Sequence, residues 1–143
     1  MSEPSKDNPR FDFQVRVRYD EADPMGFVHH ANYFRYFELC RTEMLRAGGG
    51  SYKDVEASGE FVVVVKAQIK YRSPARYDDL LNVHLEITKF SRAKVIHQYT
   101  ITRDNVVVTE AELTLAVIDR DGNVRPIPDW MREKIPEEAS PST

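Results

Sequence analysis

A single cysteine, Cys40, stands among 143 residues, so no internal disulfide can form and a reducing, cytoplasmic setting is the expectation. There is no basic excess. The 20 Lys and Arg against 23 Asp and Glu leave a net charge of -3, which gives no reason to expect a nucleic acid partner. No apolar run approaches the ~20 residues that a membrane span needs. The opening MSEPSKDNPR has no apolar stretch either, so it is expected to be neither a secretory signal nor an anchor. Internal repeats and low-complexity tracts are missing, so nothing points to a repeat architecture. What is present is 41% hydrophobic and 10% aromatic content, enough for one core. A single domain is expected over residues 11–135, between flexible ends at 1–10 and 136–143 that are rich in Pro, Ser and charge.

The chain is organised around YDEADPMGFVHHANYFRYFELCRTEMLRAGG, residues 19–49. Three acids, Asp20, Glu21 and Asp23, precede Pro24 and Gly26. Proline fixes its own φ and biases Asp23 toward extended backbone, while Gly26 tolerates the angles of a sharp turn. The chain must therefore reverse just after Asp23. From Asn32 the apolar positions are Tyr33, Tyr36, Phe37, Cys40, Met44 and Ala47, the spacing of one helical face. Arg35, Glu38, Arg41, Glu43 and Arg46 form the opposite face, paired at i, i+3, with Glu38 and Arg41 read as a structural pair. Gly48 to Gly50 end the helix. Cys40, on the apolar stripe, reads as a packing residue. At the other end, free N–H groups near His30 to Asn32 would point out of the helix start with the helix dipole behind them, and such donors can hold a developing oxyanion.

The remainder alternates. Phe11, Phe13, Val15, Val17 and Tyr19 predict a half-buried strand that delivers Asp20 to Asp23 at its end. Residues 51–59 predict a short helical turn and loop. Phe61 to Tyr71 predicts a strand with Val63, Val65, Ala67, Ile69 and Tyr71 on one face, apolar on both faces in its first half, as if covered on one side by a second subunit. Leu81 to Thr88, Val95 to Thr102 and Val107 to Val117 predict three more strands joined by short turns, one of them Asp104-Asn105. An Asp121-Gly122 turn leads to a C-terminal piece broken by Pro126 and Pro128, with a last helical turn expected over residues 130–135. One long helix and about five strands imply an α+β fold: an antiparallel sheet curled round the helix.

The ordered run Tyr19, Asp20, Glu21, Ala22, Asp23, Pro24, Met25, Gly26, Phe27, Val28, His29, His30, Ala31, Asn32, Tyr33, then Glu38 and Arg41, resembles hotdog-fold acyl-CoA thioesterases of the 4-hydroxybenzoyl-CoA thioesterase type, including the branch associated with the Tol–Pal envelope system. The segment Tyr71 to Asp79 also resembles that family. Where many relatives have Asp-Thr-Asp, this chain has Glu21-Ala22-Asp23, so a hydroxyl at the middle position is absent. The resemblance implies a five-stranded hotdog fold and hydrolysis of an acyl-CoA without metal or organic cofactor. It also implies a homodimer joined edge to edge through its sheets, assembled into a homotetramer.

By the same resemblance the catalytic acid falls on Asp23 and the oxyanion donor near His30, through its backbone N–H. A carboxylate facing an activated thioester carbonyl can attack it directly or take a proton from water. His29, Asn32, Tyr33, Phe61 and Val62 are candidates to contact substrate. Lys89, Arg92 and Lys94 are either a solvated hairpin or the holders of the coenzyme A phosphates. His84 and His97 read as strand residues without chemistry. Two other readings stand beside the enzyme. One is a hotdog module that binds acyl-CoA without cleaving it. The other is a metal hydrolase using Asp20, Asp23, His29 and His30, for which adjacent histidines diverge instead of converging.

Overall fold

The computed structural model describes residues 8–131. In chain order it has β1 (Arg10–Arg16), a 3₁₀ turn (Tyr19–Glu21), α1 (Asn32–Ala47), α2 (Tyr52–Ala57), β2 (Phe61–Tyr71), β3 (Leu80–Phe90), β4 (Val95–Arg103), β5 (Val106–Ile118), β6 (Val124–Arg125) and a 3₁₀ turn (Asp129–Met131). The strands form one antiparallel sheet in the order β1-β3-β4-β5-β2, with the short β6 paired to the end of β5. The sheet thus has six strands and not five, because the chain folds back after the Asp119–Gly122 turn and pairs two more residues.

Alternation decides which face of the sheet meets the helix. Leu81, Val83, Leu85 and Ile87 of β3 are buried, as are Val95, Tyr99 and Ile101 of β4 and Ala111, Leu113, Leu115 and Val117 of β5. Against them lies the stripe of α1: Tyr36, Phe37 and Cys40 are each 0% exposed. The Phe37 ring packs on Tyr99 with centroids 4.5 Å apart, and the Cys40 thiol approaches the Val83 carbonyl at 3.7 Å. The β4–β5 connection is the two-residue turn predicted, with Asp104 and Asn105 both at positive φ (49° and 66°). Ser51 caps α2 by accepting from the Asp54 amide at 3.2 Å.

Three local expectations need correction. The first strand ends at Arg16, and Tyr19 to Glu21 curl into a 3₁₀ turn that leaves Tyr19 81% exposed. The alternation is broken by Glu21, whose carboxylate accepts from the Arg18 amide at 2.7 Å and draws the chain round. In β2 the register slips between Val64 and Lys66, so Val65 is an extra residue and strict two-face alternation fails. β2 is also an edge strand, which leaves Val64 and Val65 exposed. On the outer face of α1, Arg46 pairs with Glu43 as expected, but Arg35 turns to Glu21 at 3.8 Å, and no Glu38–Arg41 ion pair forms among the described residues. Of the helical turn expected over 130–135, Trp130 and Met131 belong to the last 3₁₀ turn and the rest lies outside the described residues, as do the ends at 1–7 and 136–143.

Candidate active site

The turn after Asp23 is built by Asp23 itself. Its Oδ1 accepts from the amides of Met25 (2.9 Å) and Phe27 (3.1 Å), while its carbonyl accepts from Gly26 (2.9 Å) and its amide donates to the Phe27 carbonyl (2.7 Å). Gly26 sits at φ 87°, a conformation that only glycine adopts freely. The returning limb is pinned to the segment before β3: the Val28 amide donates to Ala75 O at 2.8 Å, and the Arg76 guanidinium lies 4.9 Å from the centre of the Phe27 ring. Asp23 Oδ2 has no hydrogen-bond partner among the described residues, so one carboxylate oxygen is engaged by the loop and the other is free.

Glu21 fixes the loop to the helix. It is 4% exposed, accepts from the Tyr36 hydroxyl at 2.9 Å, and its backbone carbonyl receives both the His29 amide and the Asn32 side-chain amide at 2.9 Å. Burial, then the Glu21 carboxylate, pushes the Tyr36 hydroxyl well above the ordinary tyrosine range, so its proton stays in place to donate. Just before α1, the His29 imidazole Nδ1 accepts from the Ala31 amide at 3.2 Å. The His30 amide has no partner among the described residues. It is the free donor that a helix start offers. The His29 and His30 rings stack with centroids 4.2 Å apart, and His30 meets Tyr71 edge-on.

Asp23, His30 and Tyr33 line one cleft of about 340 Å³ with Tyr71, Arg72 and Ser73 from the end of β2. Of the residues singled out in the sequence, the structure brings these three together. Asn32 serves the loop through Glu21 instead, and His29 flanks the cleft by stacking on His30. Phe61 and Val62 stand at the opposite end of β2 from Tyr71, about 30 Å away at the usual rise per residue, and do not line it. Phe61 is covered there by Arg120, at 5.8 Å. Lys89, Arg92 and Lys94 are also far from the cleft within the chain. They flank the β3–β4 hairpin, whereas the cleft lies at the other end of β4, where Arg103 donates to Pro74 O at 2.7 Å; the two ends are about 26 Å apart. Glu21 and Arg72 were not singled out as site residues. A signal for Glu21 existed in the tyrosine at position 36 of the apolar stripe, since a buried hydroxyl calls for a partner. The four residues Asp20, Asp23, His29 and His30 do not converge: among the described residues, no group of three or more His, Cys, Asp or Glu is placed to hold a metal ion.

The pattern of the thioesterase-like superfamily matches residues 17–135, most of the chain. The chain is 36% identical over 110 residues to the acyl-CoA thioester hydrolase YbgC of Escherichia coli, covering 76% of this chain and 82% of that one. It is 32% identical over 118 residues to the acyl-CoA thioesterase YbgC of Haemophilus influenzae, covering 82% and 86%. A crystal structure of a protein from Aquifex aeolicus superposes with a TM-score of 0.80 at 35% identity, over 85% of this chain and 95% of that one. A 4-hydroxybenzoyl CoA thioesterase mutant complexed with 4-hydroxybenzoyl CoA superposes with a TM-score of 0.78 over 85% and 96% of the two chains; at 19% identity this likeness shows the fold alone. With its antiparallel sheet laid against one long helix, and with this match in sequence, the chain belongs to the thioesterase-like superfamily as a hotdog-fold member.

Proposed function

We propose that the protein hydrolyses an acyl-CoA thioester to the free acid and coenzyme A, with Asp23 as nucleophile or general base and the His30 N–H as oxyanion donor. The observation that supports this reading is that Asp23 and His30 line one cleft and that each keeps a group without a hydrogen-bond partner among the described residues, Asp23 Oδ2 and the His30 amide just before α1. The thioester oxygen accepts from the amide, which polarises the carbonyl and holds the negative charge that develops there. The carboxylate then attacks the acyl carbon or takes a proton from the water that does, and the C–S bond breaks with release of the thiol. Tyr33 and His29 would border the acyl group. Residues 61 and 62 and the basic hairpin of Lys89, Arg92 and Lys94 would reach a substrate only from another subunit.

That subunit is part of the proposal. Among the described residues β2 is an unpaired sheet edge carrying exposed Val64, Val65 and Tyr71, the last of them on the cleft itself. Pairing two such edges in a homodimer would cover the apolar surface and place each cleft at the interface. A tetramer of two such dimers extends the same reading. No helix among the described residues is long and apolar enough to cross a membrane.

The test is a thiol-release assay across short, long and aromatic acyl-CoAs, with Asp23→Asn beside the native chain. The variant is expected to keep its fold and lose roughly 10²–10⁴ in kcat. Undiminished turnover would remove Asp23 from its role. Tight acyl-CoA binding by the native chain with no thiol released would instead favour a binding module.

A further inference from the structure

A second cavity, of about 460 Å³, lies at the opposite end of α1 and takes no part in the proposed chemistry. Tyr33 lines the cleft and Met44 lines this cavity, about 16 Å apart along the helix axis at 1.5 Å per residue. Between them Tyr36, Phe37 and Cys40 are each 0% exposed, so the core separates the two spaces. The walls are apolar and aromatic: Met44, Tyr52, Ile87 and Trp130. Arg41 and His97 also line the cavity. Half-buried Arg41 has no carboxylate within ion-pair range among the described residues.

His97 supplies the second polar group. It is 4% exposed, lines the cavity, and meets the Tyr99 hydroxyl through Nδ1 at 3.2 Å. Burial, then the Arg41 charge, pushes its imidazole down to about 3, so it is neutral. The Tyr99 hydroxyl is placed to donate to an unprotonated His97 Nδ1. A neutral imidazole that accepts at Nδ1 carries its proton on Nε2. His97 Nε2 has no hydrogen-bond partner among the described residues and is the ring nitrogen left to meet a ligand in the cavity.

We propose that this cavity binds a small carboxylic acid with an apolar body, its carboxylate held by Arg41 and His97 Nε2 and its body packed against Tyr52 and Trp130. A planar carboxylate suits the fork of one guanidinium. A dianion such as phosphate suits the site less, because exposed Asp54 stands on the rim and the walls are apolar.

Trp130 is the one tryptophan in the chain, so its fluorescence reads occupancy directly. Octanoate added to the full-length protein is expected to change that emission saturably, and octanol, which has no charge, is expected to need roughly ten-fold more to half-saturate. Arg41→Gln should erase the preference for the acid. Val55→Phe, at the half-exposed lining position on α2, should block the response while cooperative unfolding is retained. Asp23→Asn should leave the response intact. Equal half-saturation by octanoate and octanol, absence of a saturable response, or a response undiminished in both Arg41→Gln and Val55→Phe would overturn the proposal.

Discussion

The Tyr36 hydroxyl donates to Glu21 Oε1 across 2.9 Å, joining the loop that carries Asp23 to the helix that His30 immediately precedes. Glu21 makes the same connection with its backbone, through His29 and Asn32. Glu21→Ala would leave the Tyr36 hydroxyl buried and unsatisfied, at a cost of about 1–3 kcal/mol. The variant is expected to unfold several degrees lower and to turn over roughly ten-fold more slowly at saturating substrate, because the acid and the amide are no longer held in register. Glu21→Gln keeps an acceptor for Tyr36 and should recover most of both. Thermal unfolding and kcat on the same preparations check this; an alanine variant with native kcat would reduce Glu21 to a packing role.

Gly26 is the second point on which the loop depends. At φ 87° an added Cβ meets nothing within 4 Å, so the cost of Gly26→Ala is conformational and not steric against neighbours. That cost is about 1–2 kcal/mol. If the loop relaxes to avoid it, the bonds from Met25 and Phe27 to Asp23 Oδ1 are the first to lengthen. Activity is therefore expected to fall further than the small drop in melting temperature would suggest, read by thiol release at a temperature where the variant is fully folded.

The helix, the last three long strands and the position of the turn were legible because each rests on local periodicity that tertiary packing reinforces. The α1 stripe from Tyr33 to Met44 is buried as the 3.6 spacing requires, and Asp104-Asn105 form the turn their side chains favour. Asp23 and His30 are candidates through a motif, and the structure sets both on one cleft. What alternation could not show is where a side chain interrupts the pattern: Glu21 bends the chain at a place where Tyr19 continues the period of two, and the bulge at Val65 has no signature among four successive valines. Residues 61 and 62 and the β3–β4 hairpin were grouped with the acid because their residue types suit substrate. Sheet topology then put them at the far end of strands that run the length of the fold.

On the β1–β3 edge, His84 Nδ1 lies 2.9 Å from Asp12 Oδ1. The Asp12 hydrogen bond holds the His84 imidazole above its usual 6.5, and that same bond holds Asp12 below its usual 3.8. The stabilisation from His84 is complete below pH 6.5 and fades as pH rises through the folded value; that from Asp12 is present above 3.8 and is lost as pH falls through its folded value. Both therefore act together between about pH 3.8 and 6.5. With the two side chains 32% and 40% exposed, solvent screening leaves an effect of about 0.5 kcal/mol. Denaturant midpoints of the native chain and Asp12→Asn, compared at pH 6 and pH 8.5, should differ more at the lower pH.

His97 gives the opposite sign. Buried against Tyr99 and facing Arg41, it holds its folded value down at about 3, whereas in the unfolded chain it titrates near 6.5. The unfolded state therefore binds the extra proton as pH falls below 6.5, and stability is lost progressively from there down to about 3. Between pH 6.5 and 4 the loss is on the order of 3 kcal/mol. His97→Leu removes the titration along with the Tyr99 partner. It is expected to be less stable than the native chain at pH 7, by the roughly 1 kcal/mol of a broken hydrogen bond, yet to lose far less on acidification. Denaturant unfolding at pH 7, 5.5 and 4 should show two curves that converge or cross. Parallel curves over that range would mean that the imidazole does not remain neutral in the folded protein.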